Sequence, residues 1–487
     1  MSHKSPLVIF VLLVVFLFSS ALTAQTKLSY KGVYTAWAQS QHAFTFNDET
    51  YDDNYVVQMF RLALTFQGNE NVKAFTRFDM AQGWWGVDNE MRTLGYLPNR
   101  GASALFDFKD TNYLFHVDQA YVNFKLPGKP ISATVGRMNW SLGNKIMLDN
   151  NYDGIQIGIK EKLTFGWAKV SEGADALDDR YTEDEFGFDN RDANLLTVNF
   201  SNKVSNFSYN AYGFFYKDAS IKDGTAFVPD LLQFFKTRFS AQPTKLMAFG
   251  LSGTYKAGKL SVDGEFDFLT GEDEIANTTY ANAAKPDAHD INNGDLSGFN
   301  LYLKPSYAVT PRFTLGGVLG MGSGDDDVTG GKGNVNKLRT SGFFYITEIW
   351  EDSIMPDEEG ITPQGLGAPN VRGYRELENT TALQVNASFK PVSKLELFGS
   401  FTFLKATQDI NAWTNTNGVV SIDKNTAAND LGTEIDFRIS YVIDQGLSTH
   451  LRGGWFTPGD AACYLINGNT NNCDKAWELK GMITYNF

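Results

Sequence analysis

Three acids at every second position, Asp263, Glu265 and Asp267, and four bases on three other segments, Lys31, Arg61, Lys73 and Arg77, are the charged residues whose spacing suggests a function. Alternate positions share one face of a strand, so each set would present its charge on one side of a sheet. Two such walls set up a field rather than a reaction. Asp79 adds one acid beside the bases.

A reaction finds less support. Beyond the first 24 residues the histidines are His42, His116, His289 and His450, and an acid–base mechanism would recruit one of them. "HDIN" from His289 holds the only adjacent His–Asp pair, in a long polar stretch with no serine or second acid fixed by pattern. His450, two residues before Arg452, reads as a polar lining residue. No C-x-x-C-H haem motif is present. The acidic runs "NDETYDD", "DALDDRYTEDE", "GEDE" and "GSGDDD" lack EF-hand spacing and read as solvated negative surface. No enzyme, metal or cofactor is expected. The net charge of −14 argues against a nucleic-acid partner.

The elements that must position these charges are strands. Period-2 alternation recurs through Phe60/Leu62/Leu64/Phe66, Ala120/Val122/Phe124/Leu126, Leu260/Val262/Gly264/Phe266/Phe268 and Ile435/Phe437/Ile439/Tyr441. No helical period is sustained, so the chain reads as all-β.

At the N-terminus, "MSHKSPLVIFVLLVVFLFSSALTAQ" combines a lysine, an apolar run and small residues up to Ala24, which reads as a secretory leader over 1–24. The run falls short of the roughly 20 apolar residues of a spanning helix, and no comparable run follows. Residues 25–487 read as one domain. Cys463 and Cys473, the only cysteines, sit ten residues apart in the last long connection of an exported chain and read as a disulfide.

The connections decide the architecture. Tight links at "QGNEN", "LPGKP", "KEK", "SNKVSN", "KAGK", "TP", "KPVSK" and "DQG" are separated by much longer polar ones. Eight short turns and nine long loops make eighteen strands, with sixteen as the alternative count. Sorting of loops by length is the pattern of a transmembrane antiparallel barrel, with short periplasmic turns and long external loops. Phe66, Phe124, Phe165, Phe200, Phe207, Tyr255, Tyr307, Phe313, Phe389, Tyr441, Tyr485 and Phe487 lie beside the short turns with outward parity and would form an aromatic girdle. The chain stops on "KAWELKGMITYNF", and the terminal Phe487, with Tyr485, resembles the sorting signal of outer-membrane barrels.

Two stretches, "VGRMNWSLGNKIMLDNNYDGIQI" from Val135 and "LGTEIDFRISYVIDQGLSTHLRGGWFTPGD" from Leu431, resemble the porin-like family that includes the alginate-export channels. The resemblance implies an eighteen-stranded channel for a polar solute, with a strongly basic pore in the alginate exporters. Here basic and acidic walls are expected to face each other across the water of the lumen, the eleventh strand lying about halfway round from the second.

Glu434, Asp436, Arg438, Arg452, Glu478 and Lys480 on the closing strands are expected to pair laterally as a ladder of alternating sign, with Arg438 and Arg452 among the pore-lining residues. The longest connection, about 322–380, contains "GFFYITEIWEDSIMPDEEG" and is expected either to fold into the pore as a constriction or to cap it from outside. The whole reads as a passive diffusion porin for small hydrophilic solutes in the outer membrane of a Gram-negative bacterium. Its expected partners are membrane lipid, lipopolysaccharide and the barrel-assembly machinery. A saccharide or polysaccharide export channel, or a sheath around a periplasmic electron-transfer partner, is the alternative.

Overall fold

A computed structural model describes residues 26–47, 52–85, 114–171, 192–218, 244–273, 294–324, 332–334, 344–354, 377–416 and 419–487. The leader, the acidic run from Asp175 and His289 lie outside these residues. The strands are β1 (Lys27–His42), β2 (Asp53–Asn69), β3 (Val72–Trp84), β4 (Leu114–Lys125), β5 (Ile131–Leu142), β6 (Leu148–Ile159) and β7 (Leu163–Ser171). They continue with β8 (Ala193–Val204), β9 (Phe207–Asp218), β10 (Thr244–Ala257), β11 (Leu260–Asp273), β12 (Gly294–Thr310), β13 (Phe313–Gly322) and β14 (Lys332–Asn334). Among the described residues, β15 (Thr380–Val392), β16 (Leu395–Thr416), β17 (Val419–Asp444), β18 (Leu447–Pro458) and β19 (Ala476–Asn486) follow, with the helix α1 (Asp460–Asn467) before the last strand.

Consecutive strands pair antiparallel, and β1 pairs with β19 to close the sheet, Val33 lying opposite Asn486 and His42 opposite Trp477. Only the three-residue β14 stands outside the ring. It lies parallel beside the outer end of β12, while β13 pairs directly with β15. Removing it from the 19-stranded sheet leaves eighteen barrel strands, as the turn count predicts. Closure leaves no backbone edge to be satisfied by lipid.

The alternation sorts the residues by face. On β11, Phe266 and Phe268 are 49% and 44% exposed outside, while Glu265, Asp267 and Leu269 between and beyond them are buried inside. Ten of the twelve girdle aromatics are exposed, and Phe124 and Phe313 are half-buried. So large an apolar exterior is stable only against hydrocarbon.

All eight short turns occur where the sequence places them, but two connections on the opposite side are not long. β5 and β6 are joined by residues 143–147 alone, because the polar stretch after Met147 is strand rather than loop. β16 and β17 run for 22 and 26 residues as one hairpin with register shifts near Lys405–Ile410 and Asn411–Ala412. A tilted strand crosses a bilayer in about 9–11 residues. The surplus therefore stands beyond the bilayer, where Ala406 and Ile410 pack with α1 instead of lipid and the period-2 signal fades.

Candidate pore and its constriction

Two inserts turn inward from the external side. The first is the turn at residues 143–147. Gly143 and Lys145 have φ of 57° and 74°, a left-handed pair that doubles the chain back into the lumen. Its Asn144 amide donates to Glu265 on β11, and Ile146, Met147 and Leu148 are buried.

The second insert, residues 344–354, belongs to the longest connection and ends in a π-helical turn, Trp350–Ile354. Hydrogen bonds to the wall help to hold it. Glu434 on β17 accepts the amides of Ile349 and Trp350 at 2.6 and 2.9 Å. Glu478 on β19 accepts the Ser353 hydroxyl at 2.6 Å, and Gln384 on β15 donates to the Ile346 carbonyl at 3.1 Å. A buried carboxylate that receives hydrogen bonds from backbone amides replaces part of its lost hydration.

The inserts meet. Ile146 of the first shares an apolar cluster with Tyr302, Val318 and Leu377, against which Phe344 and Ile346 of the second pack. Tyr302 and Phe344 meet edge to face at 5.3 Å. On the other side Ile349, Trp350 and Ile354 pack with Phe44, Phe46, Phe456 and the buried face of α1. Cys463 of α1 and Cys473 are disulfide-bonded with Cα atoms 5.7 Å apart.

The closing strands depart from the expected ladder. Arg438, Arg452 and Lys480 are direct cross-strand neighbours on β17, β18 and β19, so like charges lie side by side, with Asp436 and Glu478 one level away. Strand register fixes this: one level carries the three bases, and the next carries Asp436 and Glu478 on either side of Gly454. The row is compensated by the second insert. Glu348 and Asp352 lie 3.0 and 3.6 Å from Arg452, and Asp352 lies 3.1 Å from Lys480. Burial pushes the Glu348 carboxyl up and Arg452 opposes that shift. Lys480 also pairs with Glu478 at 3.0 Å.

Arg438 has no ion-pair partner among the described residues. Its guanidinium lies 5.0 Å over the Phe398 ring and borders a cavity of about 300 Å³ lined also by Glu396, Ser440, His450, Arg452 and Met482. His450 Nδ1 lies 2.9 Å from the Ser440 hydroxyl.

Of the basic wall, Lys31 and Lys73 face inward without an ion pair among the described residues, but Arg61 and Arg77 do not act as free charges. Arg61 makes a bidentate pair with Asp79 at 2.5 and 2.6 Å, and Arg77 pairs with Asp118. Asp118 escapes parity: a register shift in the β3–β4 pairing between Arg77 and Phe78 turns it inward beside Gln119. The acidic wall also differs from expectation. Asp263 accepts the Thr254 hydroxyl at 2.5 Å, whereas Glu265 and Asp267 are only 3% and 0% exposed because the first insert covers them. They point inward without lining the water.

The missed contributors are therefore Asp118, Glu348, Asp352 and Tyr212, which donates to Asp267 at 2.8 Å. The acids within "TEIWED" were the one visible signal for the insert's charge.

The sequence matches the family model described as Alginate export over residues 367–471, which contain the stretch from Leu431 to Asp460 but not the one from Val135. It matches no curated protein. Among solved structures, the chain resembles OccK8 (OprE) of Pseudomonas aeruginosa, at 12% identity over 95% of this chain and 98% of that one, with a TM-score of 0.52. It also resembles a BenF-like porin of Pseudomonas fluorescens, at 11% identity over 95% and 98% with a TM-score of 0.47, and OccAB4 of Acinetobacter baumannii, at 12% over 96% and 99% with 0.48. The chain has the fold of the outer-membrane porins.

Proposed function

We propose that the protein is a passive diffusion channel for small hydrophilic solutes in the outer membrane of a Gram-negative bacterium. The observation that carries this reading is the pairing of an apolar exterior with a charged lumen that the two inserts narrow. A solute passing the constriction meets Arg438, His450 and Ser440. Arg438, with no ion-pair partner among the described residues, and Arg452 outnumber the one acid on this cavity, Glu396, which favours solutes with an anionic group. The cost of dehydration disfavours apolar ones.

The exterior supports membrane lipid as the permanent partner. The external acids fit lipopolysaccharide bridged by divalent ions, and the C-terminal strand fits recognition by the barrel-assembly machinery. No reaction is assigned to the chain. His42 and Asp52, 2.6 Å apart at the outer rim with His42 stacked on Trp477, read as a loop anchor. Inserts that meet inside the lumen fit small solutes better than a polysaccharide. Swelling of proteoliposomes in small sugars and carboxylates tests the reading: swelling with small solutes that fades as solute size rises is expected, and none with any solute would refute it.

A further inference from the structure

Glu265 and Asp267 lie side by side on the inner face of β11, beneath the turn at residues 143–147. One oxygen of each is satisfied, Glu265 Oε2 by the Asn144 amide and Asp267 Oδ1 by the Tyr212 hydroxyl. The other two, Glu265 Oε1 and Asp267 Oδ2, are buried with no hydrogen-bond partner. The only base on the covering turn, Lys145, is directed away to Asp149 at 3.0 Å. Two adjacent carboxylates without a counter-charge are costly to bury.

The neighbouring wall adds neutral oxygen. Ser252 lies opposite Glu265 on β10, and Asn300 lies opposite Asp267 on β12, both buried. Gly143 and Gly250 flank the carboxylates, and a Cβ at either would strike the Glu265 or Asp267 oxygens. The oxygens they approach are Glu265 Oε2 and Asp267 Oδ1, beside Tyr212, so the glycines let these two hydrogen-bonded oxygens and the tyrosine pack closely.

We propose that Glu265 and Asp267, under this turn, form a binding site for a hard divalent cation, Ca²⁺ in particular. Ca²⁺ takes six to eight oxygen ligands and accepts irregular geometry. The two unpartnered carboxylate oxygens supply the charge, and Ser252 and Asn300 supply neutral donors. The ion clamps the first insert to β11 and so holds Ile146 against Phe344 and Leu377. The site does not depend on which solute passes.

The test is bound calcium per chain, measured by elemental analysis on purified full-length protein equilibrated with Ca²⁺ and then washed with chelator, for the wild type and for Glu265→Gln with Asp267→Asn. The isosteres keep acceptors for Asn144 and Tyr212 while removing the charge. The expected result is one retained calcium in the wild type and none in the variant. Thermal unfolding in detergent should rise by several degrees with Ca²⁺ in the wild type only. No retained calcium, or retention and shift unchanged by the substitutions, would overturn the proposal. If the double variant does not insert, Asp267→Asn alone is read by the same criteria.

Discussion

Glu348 of the second insert and Arg452 of β18 form an ion pair of 3.0 Å inside the barrel, with side chains 12% and 17% exposed. The pair joins a loop to the wall and cancels a charge that would otherwise face the solute path. Replacing Glu348 by Gln and Asp352 by Asn removes the acids that face Arg452 and one of those that face Lys480. Losing one side of a buried pair costs on the order of 3–5 kcal/mol, a cost the insert can relieve by leaving the wall. Higher single-channel conductance and a shift towards anions are expected. Unchanged conductance and selectivity would place the insert away from the conducting path.

Glu434 tests the anchorage separately, since it binds the insert through backbone amides rather than charge. Glu434→Ala orphans two buried donors at about 1–3 kcal/mol each. Open-channel noise should increase while the barrel still assembles. A quiet channel in a folded variant would contradict the anchoring role.

The Cys463–Cys473 bond ties α1 to the segment before β19 and backs the cluster around Trp350. A bridge over a short loop contributes about 3 kcal/mol. Replacing both cysteines by serine should lower the unfolding midpoint and raise noise. Both thiols alkylated in unreduced protein would exclude the bond.

Phe487 closes the ring. Its amide and carbonyl exchange hydrogen bonds with Gly32 at 3.0 and 2.9 Å, and its ring covers Gly32, where no side chain would fit, and stacks with Tyr485 at 5.6 Å. Deleting Phe487 should reduce insertion and leave a protease-sensitive periplasmic species. Normal surface levels of the truncated chain would count against this.

Much of the barrel was legible because lipid and water sort alternate residues. Phe266 and Phe268 against Glu265 and Asp267 give the faces of β11 directly, and eight tight turns give the strand count. What parity could not carry was anything that breaks the period or fills the lumen. Asp118 turns inward at a register shift, which moves a residue across the sheet without any change of composition. The turn at 143–147 lies beside a polar run that reads equally as loop or strand. Glu265 and Asp267 were placed on the correct face, but their burial depends on a contact 121 residues away in the chain, between Asn144 and Glu265. The sign pattern of Arg438, Arg452 and Lys480 failed because lateral neighbours are set by register, and a shift by one level turns alternation into a row of like charge.

The most direct test of the account is the reversal potential of single channels in a salt gradient, for the wild type and for Arg438→Gln, in dilute and in concentrated electrolyte. Arg438 is the inward cation beside the 300 Å³ cavity without an acidic partner among the described residues. The account predicts a conducting channel with an anion preference that the substitution reduces. The difference should be larger in dilute salt, because screening acts over roughly 8–10 Å at physiological ionic strength. A reversal potential identical in the two proteins at low salt, or no conductance in either, would contradict it.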